Sequence, residues 1–163
     1  MSIYTAYCPS SFGCFEIKGS DKGITSVKLV DKKPCIQLSV PRQLEDAVQQ
    51  LAEYFDRKRQ VFDLELDWEG AASFNQQVWE QLLEIPYGHT TTYSAIAEKI
   101  NNPAAVRAVG LANKYNPIAI IVPCHRVIAK SGELQGYFYG LDMKRQLLEL
   151  ENPMSFARQG SLF

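Results

Sequence analysis

The chain has 163 residues, a formal net charge of -1 and 46% hydrophobic residues. This length suits one compact unit or two small ones, with enough apolar residues for a core. No apolar segment approaches the roughly 20 residues of a membrane span, and the N-terminus lacks the pattern of a signal peptide. We therefore expect a cytoplasmic protein, and the net charge argues against an indiscriminate nucleic-acid binder.

The four cysteines, Cys8, Cys14, Cys35 and Cys124, contain no C-x-x-C pair. In a chain without a signal peptide such cysteines stay reduced, so we expect four free thiols. The first three match no zinc-binding spacing, and the two histidines lie far from them in the sequence. We therefore expect no metal ion and no other cofactor.

The first 70 residues indicate a mixture of strands and helices. A turn signal at residues 20–23, flanked by alternating apolar residues, predicts a β-hairpin. Apolar residues at helical spacing after Pro41 predict a helix that ends near Phe55. Residues 62–68 alternate apolar and acidic side chains, which predicts a strand with one negative face. A boundary near Gly70 divides the chain into domains 1–70 and 71–163.

Helical patterns dominate after this boundary. Ser73 and Gln76 have the spacing of a capping box, and the helix that they begin ends before Pro86. A second, short helix is predicted after Thr92, and Pro103 begins a third. Two short helices joined by a tight turn indicate a helix-turn-helix, although an ordinary helical hairpin has the same pattern.

The third helix combines small side chains with one long cation, Arg107. Its small residues are Ala104, Ala105, Ala108, Gly110 and Ala112. Such a helix can approach a DNA groove closely, with the arginine as a probe, or can pack tightly on another helix. Residues 99–132 also contain no acidic residue. The cations of this stretch are Lys99, Arg107, Lys114, Arg126 and Lys130.

Cys124 and His125 are adjacent, directly after an apolar run and Pro123. An imidazole near a thiol raises the thiolate fraction at neutral pH, so the pair indicates a nucleophile and its base. Because adjacent side chains diverge, His125 can serve Cys124 only through a sharp backbone turn or a bridging water, and we favour the water. An inert buried cysteine is the alternative.

A carboxylate suited to orient this histidine ends the last predicted helix, which runs from Leu141 to about Glu151. Glu151 lies at the edge of the apolar stripe of that helix, and a partly buried carboxylate needs a partner. His125 makes chemical sense as that partner, because a carboxylate on the far ring nitrogen fixes the tautomer. A surface glutamate at a fraying helix end is the alternative.

Residues 74–151 resemble the catalytic domain of the O6-alkylguanine-DNA alkyltransferases, also called methylated-DNA–protein-cysteine methyltransferases. The ordered motifs are Thr92-Tyr93, Arg107-Ala108-Val109-Gly110, Asn116-Pro117, Ile121-Val122-Pro123-Cys124-His125-Arg126-Val127, Gly136-Tyr137, Gly140-Leu141 and Leu147-Leu148-Glu149-Leu150-Glu151. The resemblance implies an α/β (α+β) fold. A small N-terminal ribonuclease-H-like domain of strands and helix would precede a mostly helical C-terminal domain with a helix-turn-helix. The N-terminal half resembles that first domain only in its general organisation and in the motif Ser11-Phe12-Gly13.

The resemblance further implies direct DNA repair in a single turnover, without a cofactor. The protein would flip O6-alkylguanine, mainly O6-methylguanine, from double-stranded DNA and transfer the alkyl group irreversibly to Cys124. A water would relay the thiol proton to His125, which Glu151 orients. Tyr93 would protonate the leaving guanine and help to turn the flipping phosphate, and Asn116 would brace the turn that presents Cys124.

The resemblance also implies that a monomer binds DNA through the minor groove, with Arg107 entering the vacated base stack. The residues next to it that would contact DNA are Ala105, Val106, Ala108 and Gly110. Backbone groups of Cys124, Val127 and Phe138 would read the guanine edge, and Tyr137 would wall the pocket. Tyr139 stands where many members have a glycine, so it should narrow the pocket and disfavour bulky adducts. Ser20 and Thr25 occupy two places where some members have zinc ligands, which supports the expected absence of zinc.

Three other readings are open at this point. Alkyltransferase-like proteins bind alkylated DNA without transfer, but they lack the nucleophilic cysteine that Cys124 provides. A thiol hydrolase built from Cys124, His125 and Glu151 would lack an obvious acyl-binding signature. A helix-turn-helix regulator would not need a reactive cysteine.

Overall fold

The computed structural model describes residues 2–154. The elements in chain order are β1 (Tyr4–Ser10), β2 (Gly13–Ser20), β3 (Gly23–Val30), α1 (Glu45–Phe55), α2 (Ser73–Leu83), β4 (Thr91–Thr92), α3 (Tyr93–Lys99), α4 (Val106–Lys114), β5 (Val127–Ile128) and α5 (Leu141–Glu151). Short 3₁₀ helices cover Arg42–Leu44, Pro103–Ala105 and Cys124–Arg126. Strands precede a mostly helical half, so the predicted fold class is confirmed. Most of the C-terminal tail, in which we identified no pattern, lies outside the described residues.

Two compact units divide the chain. The first consists of Met1–Gly70 with Pro117–Ile121, and the second takes in Ala71–Asn116 and the chain from Val122 onward. Pro117–Ile121 joins the first unit through β3, because the Val27 amide donates to Pro117 O at 3.0 Å and the Ala119 amide donates to Val27 O at 3.2 Å. The apolar run before Cys124 therefore belongs mainly to the core of the first unit.

An antiparallel sheet in the order β1-β2-β3 forms the first unit together with α1. The predicted hairpin is confirmed, with Ser20 paired to Gly23 at its tight end. Gly23 has φ +154°, and a Cβ there would lie 2.6 Å from the Glu65 carbonyl oxygen, so this position requires glycine. The core contains Phe15 and Ile17 from the sheet and Leu51 and Tyr54 from α1.

The acidic segment at residues 62–68 is not the strand that we predicted. Its only ladder contact among the described residues is a parallel bridge between Ile24 and Leu66. Side chains satisfy the backbone instead, since Gln50 accepts from the Asp63 amide at 2.8 Å and donates to Asp63 O at 3.1 Å. Because the amide and carbonyl of Asp63 are already paired, they do not require hydrogen bonds to a neighbouring strand. Strand β1, by contrast, was not predicted from its sequence.

The expectation of four free thiols is wrong, because Cys14 and Cys35 form a disulfide. Cys14 lies in β2 and Cys35 in the segment after β3, and their Cα atoms are 5.5 Å apart. That separation is within the range that a disulfide spans. Cys8 and Cys124 are free and buried.

The described residues contain no cluster of three or more His, Cys, Asp or Glu side chains that could hold a metal ion.

The second unit contains helices α2, α3, α4 and α5. The capping box predicted for α2 does not form, because Ala72 is the N-cap and the Gln76 side chain donates to Ala71 O. Thr92 does cap α3, since its hydroxyl accepts from the Ala95 amide at 3.1 Å. None of the helices in residues 2–154 is long and apolar enough to cross a membrane.

Candidate active site

A sharp turn presents Cys124 at the start of the 3₁₀ helix Cys124–Arg126. The Asn116 side chain donates to Val122 O at 2.8 Å, and the Asn113 side chain donates to Cys124 O at 3.3 Å. Two side-chain amides from the end of α4 therefore hold carbonyl groups on either side of Pro123. We expected Asn116 to brace this turn, and its contact fits that expectation. Sequence reasoning did not identify Asn113.

Cys124 is 4% exposed. Burial raises its pKa, while a hydrogen bond from Asn116 and the charge of Lys144 act in the opposite direction. A thiol with a raised pKa is protonated at neutral pH and is a poor nucleophile until a base removes its proton. The site therefore needs a proton acceptor close to Cys124.

His125 contacts the carboxylate that we predicted as its partner. Nε2 of His125 lies 2.7 Å from Oε2 of Glu151, and both side chains are fully buried. Burial lowers the pKa of His125, Glu151 raises it, and Arg126 and Lys144 lower it further. The imidazole is therefore neutral at rest. Its Nδ1 atom is buried and has no hydrogen-bond partner among the described residues, so it is free to accept a proton.

Arg126, which we counted among the cations of residues 99–132, belongs to this buried cluster. Its Nε donates to Oε1 of Glu151 at 2.8 Å and its Nη2 to Oε2 at 3.0 Å, while Nη1 donates to Ile85 O at 2.7 Å. Burial raises the pKa of Glu151, but His125 and Arg126 outweigh it and hold that pKa well below its usual value. Glu151 is therefore a carboxylate throughout the physiological range.

Tyr93 and Lys144 form a second polar group in the same unit. The Tyr93 hydroxyl donates to Gln135 O at 2.7 Å. Nζ of Lys144 donates to Gln135 O at 2.6 Å and to Gly136 O at 3.2 Å, and it lies 3.4 Å from the Tyr93 oxygen. Lys144 is fully buried, and burial lowers its pKa to about 8. Burial, and then the charge on Cys124, raise the pKa of Tyr93 to about 12. Tyr93 and Lys144 therefore both interact electrostatically with Cys124.

The loop before α5 carries the aromatic side chains that we assigned to the pocket wall. Tyr137 is buried, and its hydroxyl has no hydrogen-bond partner among the described residues. Tyr139 is half-buried and contacts the Tyr137 ring edge-on at 5.8 Å, while Phe138 is 58% exposed. Val127 is fully buried in β5, which pairs in parallel with β4. Tyr139 therefore adds bulk directly against Tyr137.

The residues that we assigned to DNA lie on the solvent side of helix α4 and of Ala105, the residue directly before it. Arg107, Val106 and Ala108 are exposed, and Ala105 and Gly110 are half-buried. The opposite face is buried through Val109, Ala112 and Asn113. Trp79 of α2 fixes that face, since its indole N–H donates to Ala112 O at 2.9 Å. Small side chains thus flank Arg107 on the exposed side of α4, and Lys114, the last residue of the helix, is a second exposed cation. Lys99 and Lys130 are also exposed in the same unit.

The structure thus brings the predicted residues into two sets. Cys124, His125, Glu151 and Asn116 surround the sharp turn, with Tyr93 linked to them through Lys144. The α4 residues form a separate exposed surface. Sequence reasoning missed Asn113, Arg126 and Lys144 as parts of the site. Lys144 falls on the same helical face as Leu147 and Glu151, and a cation on a buried face is the signal that could have identified it.

Comparisons with known proteins agree with this architecture. Residues 73–153 match the family model described as 6-O-methylguanine DNA methyltransferase, DNA binding domain. Residues 3–68 match the model described as 6-O-methylguanine DNA methyltransferase, ribonuclease-like domain. Together the two models span most of the chain.

Individual relatives cover nearly the whole chain. It is 48% identical to the methylated-DNA–protein-cysteine methyltransferase of Mycolicibacterium paratuberculosis, over 91% of this chain and 92% of the relative. The enzyme of the same name from Methanosarcina barkeri is 44% identical, over 91% and 97%. A crystal structure of Mycobacterium tuberculosis OGT in complex with DNA is similar with a TM-score of 0.81 and 44% identity, covering 91% of this chain and 92% of that one. The chain therefore belongs to the methylated-DNA–protein-cysteine methyltransferase family of direct-reversal DNA repair proteins.

Proposed function

We propose that Cys124 is the residue that accepts the alkyl group from O6-alkylguanine, mainly O6-methylguanine. The observation that carries this proposal is the position of the Cys124 thiol in a braced, buried turn beside the hydrogen-bonded His125–Glu151 pair. A bond forms between the sulfur and the alkyl carbon while the bond from that carbon to O6 breaks. The thiol gives up one proton, and the guanine takes up one as it leaves.

His125 is the proposed base. Its Nε2 faces Glu151, so the proton on that nitrogen is held by the carboxylate, and Nδ1 is left to accept the thiol proton through a water. The raised pKa of Cys124 explains why such a base is needed. Asn116 contributes by holding Val122 O and by a hydrogen bond that stabilises the thiolate.

Tyr93 is the proposed acid for the leaving guanine. A neutral guanine leaves more easily than its anion, so a positioned proton donor speeds the transfer. The raised pKa of Tyr93, about 12, keeps its hydroxyl protonated at rest. The ammonium of Lys144, 3.4 Å from the Tyr93 oxygen, would stabilise the tyrosinate that forms when the proton leaves.

Duplex DNA is the proposed partner of the exposed side of α4, bound through the minor groove by a monomer. The damaged base must leave the stack because its O6 atom is shielded within the duplex. Arg107 would fill the gap, and the small residues Ala105, Ala108 and Gly110 would let the helix approach closely, beside Val106. Backbone groups at Val127 and Phe138 would read the extruded base against Tyr137 and Tyr139. The cytoplasmic location expected from the sequence is likewise a proposal, for cell fractionation to test.

Intact mass spectrometry tests the transfer. The wild-type protein is incubated with a duplex that contains O6-methylguanine and with an undamaged duplex of the same sequence. The account predicts one added methyl group with the damaged duplex alone, located on the Cys124 peptide. The Cys124→Ala variant should bind the damaged duplex and keep its mass. Binding by the wild type without any added mass would instead indicate an alkyltransferase-like function.

A further inference from the structure

We infer that Arg126 is a positioning residue that keeps the acceptor nitrogen of His125 free of a proton, by holding Glu151 as a carboxylate. The inference rests on the proposed role of His125 as the base. Three nitrogen atoms contact the carboxylate of Glu151. Nε of Arg126 donates to Oε1 at 2.8 Å, Nη2 of Arg126 donates to Oε2 at 3.0 Å, and Nε2 of His125 lies 2.7 Å from Oε2. The fork of the guanidinium thus grips both carboxylate oxygens.

The position of one proton decides whether His125 can act as a base. With one proton shared by the His125–Glu151 pair, that proton sits on Nε2 and is held by the carboxylate, and Nδ1 keeps its lone pair. With a second proton on the pair, two arrangements exist. Either the imidazole is doubly protonated beside a carboxylate, or a neutral Glu151 donates to Nε2 while Nδ1 carries the hydrogen. In both arrangements Nδ1 has lost its lone pair and cannot take the thiol proton from Cys124.

Arg126 supplies the charge that keeps the second proton away. The side chains of Glu151 and His125 are both fully buried, and an isolated carboxylate in such a place would be protonated at neutral pH. The guanidinium is always charged, so it compensates Glu151 without adding a proton that could move. It also opposes protonation of the imidazole, since its charge lowers the pKa of His125.

Arg126 is itself held in place for this task. Nη1 donates to Ile85 O at 2.7 Å, and the guanidinium carbon lies 5.7 Å from the centre of the Tyr87 ring. Two other titratable groups interact electrostatically with the pair, namely Lys144 with His125 and Tyr137 with Glu151. Both also interact electrostatically with Cys124. Lys144 opposes protonation of His125 but makes none of the hydrogen bonds described for Glu151. Arg126 combines its charge with direct hydrogen bonds to both oxygens of Glu151.

Nitrogen NMR of the histidine ring reads this proton directly. The chain has two histidines, so a His89→Gln background leaves His125 as the single signal. In that background, 15N chemical shifts would be followed against pH for the parent, for Arg126→Met, which removes the charge, and for Arg126→Lys, which keeps a charge without the fork. Trp79→Phe is the matched control, because it removes a buried hydrogen bond of the same unit in which neither His125 nor Glu151 takes part.

The parent should show at pH 7 a neutral ring with the proton on Nε2 and a bare Nδ1. Arg126→Met should carry a proton on Nδ1 at pH 7 and lose it only at higher pH, with Arg126→Lys between the two. Trp79→Phe should match the parent. If Arg126→Met does not fold, as circular dichroism would show, the comparison of Arg126→Lys with the parent decides the question. Identical Nδ1 protonation in the parent and in folded Arg126→Met would overturn the inference, as would identical protonation in the parent and in Arg126→Lys where Arg126→Met does not fold.

Methyl transfer gives an independent second readout. The transfer rate of Arg126→Met should fall about tenfold or more at pH 7 and recover as the pH rises, whereas a purely structural loss would lower the rate equally at every pH. If the parent itself transfers no methyl group, the proposed function fails. The NMR titration still decides the role of Arg126 in that case, because it does not depend on transfer.

Discussion

The contribution of the buried Lys144 side chain to the stability of the second unit should rise with pH. Its pKa lies at about 8, against 10.5 for an unperturbed lysine, because burial penalises the charged form. Between these two values Lys144 binds more protons in the unfolded chain than in the folded one, so its contribution to the free energy of unfolding increases as the pH increases. The difference between the two pKa values corresponds to about 3 kcal/mol of unfolding free energy, and this stabilisation is complete only above the pKa of the unfolded chain. Lys144→Met should lack this gain.

Urea unfolding at a series of pH values between 7 and 11 measures the effect. A Trp68→Phe background leaves Trp79 of α2 as the single tryptophan, and its fluorescence reports the second unit. The difference in unfolding free energy between the parent and Lys144→Met should change by about 3 kcal/mol over this range, in favour of the parent at high pH. Lys99→Met, at an exposed position, is the control and should run parallel to the parent. Parallel curves for Lys144→Met as well would refute the reasoning.

Three further predictions concern the site and the cysteines. Glu151→Gln should slow methyl transfer by roughly a hundredfold while DNA binding persists, because His125 loses the anion that fixes its tautomer; unchanged transfer kinetics would count against the pair. Tyr139→Gly should speed labelling by benzylated free guanine, which the wild type should react with poorly, and rapid labelling of the wild type would contradict the narrowed pocket. Thiol labelling of the denatured protein should find two thiols without reductant, since Cys14 and Cys35 are paired, and all four after reduction. Four thiols before reduction would exclude the disulfide.

Local patterns predicted the helices well. The apolar spacings before Phe55 and after Leu141 correspond to α1 and α5, and α3 follows Thr92 as expected. These features depend on neighbours within a few residues, which a sequence displays directly. The partnership of Glu151 with His125 was also predictable, because a carboxylate beside an apolar stripe needs a partner and an imidazole that acts as a base needs a group to fix its tautomer.

Features set by distant parts of the chain could not be predicted in the same way. Residues 62–68 alternate like a strand, but the Gln50 side chain takes the backbone groups of Asp63 that a ladder would have used. The disulfide depends on how the segment after β3 returns to Cys14. Arg126 looked like a surface cation because nothing in the local sequence shows that Glu151 and Ile85 surround it.

Stoichiometric titration tests the central claim that Cys124 is consumed by a single transfer. A fixed amount of protein is incubated with an increasing excess of duplex that contains O6-methylguanine, and the repaired guanine is counted at completion. The account predicts a plateau at one repaired guanine per protein molecule, with protein from the plateau inactive toward fresh duplex. Continued repair beyond one equivalent would show that the protein is a recycled catalyst and would contradict the account.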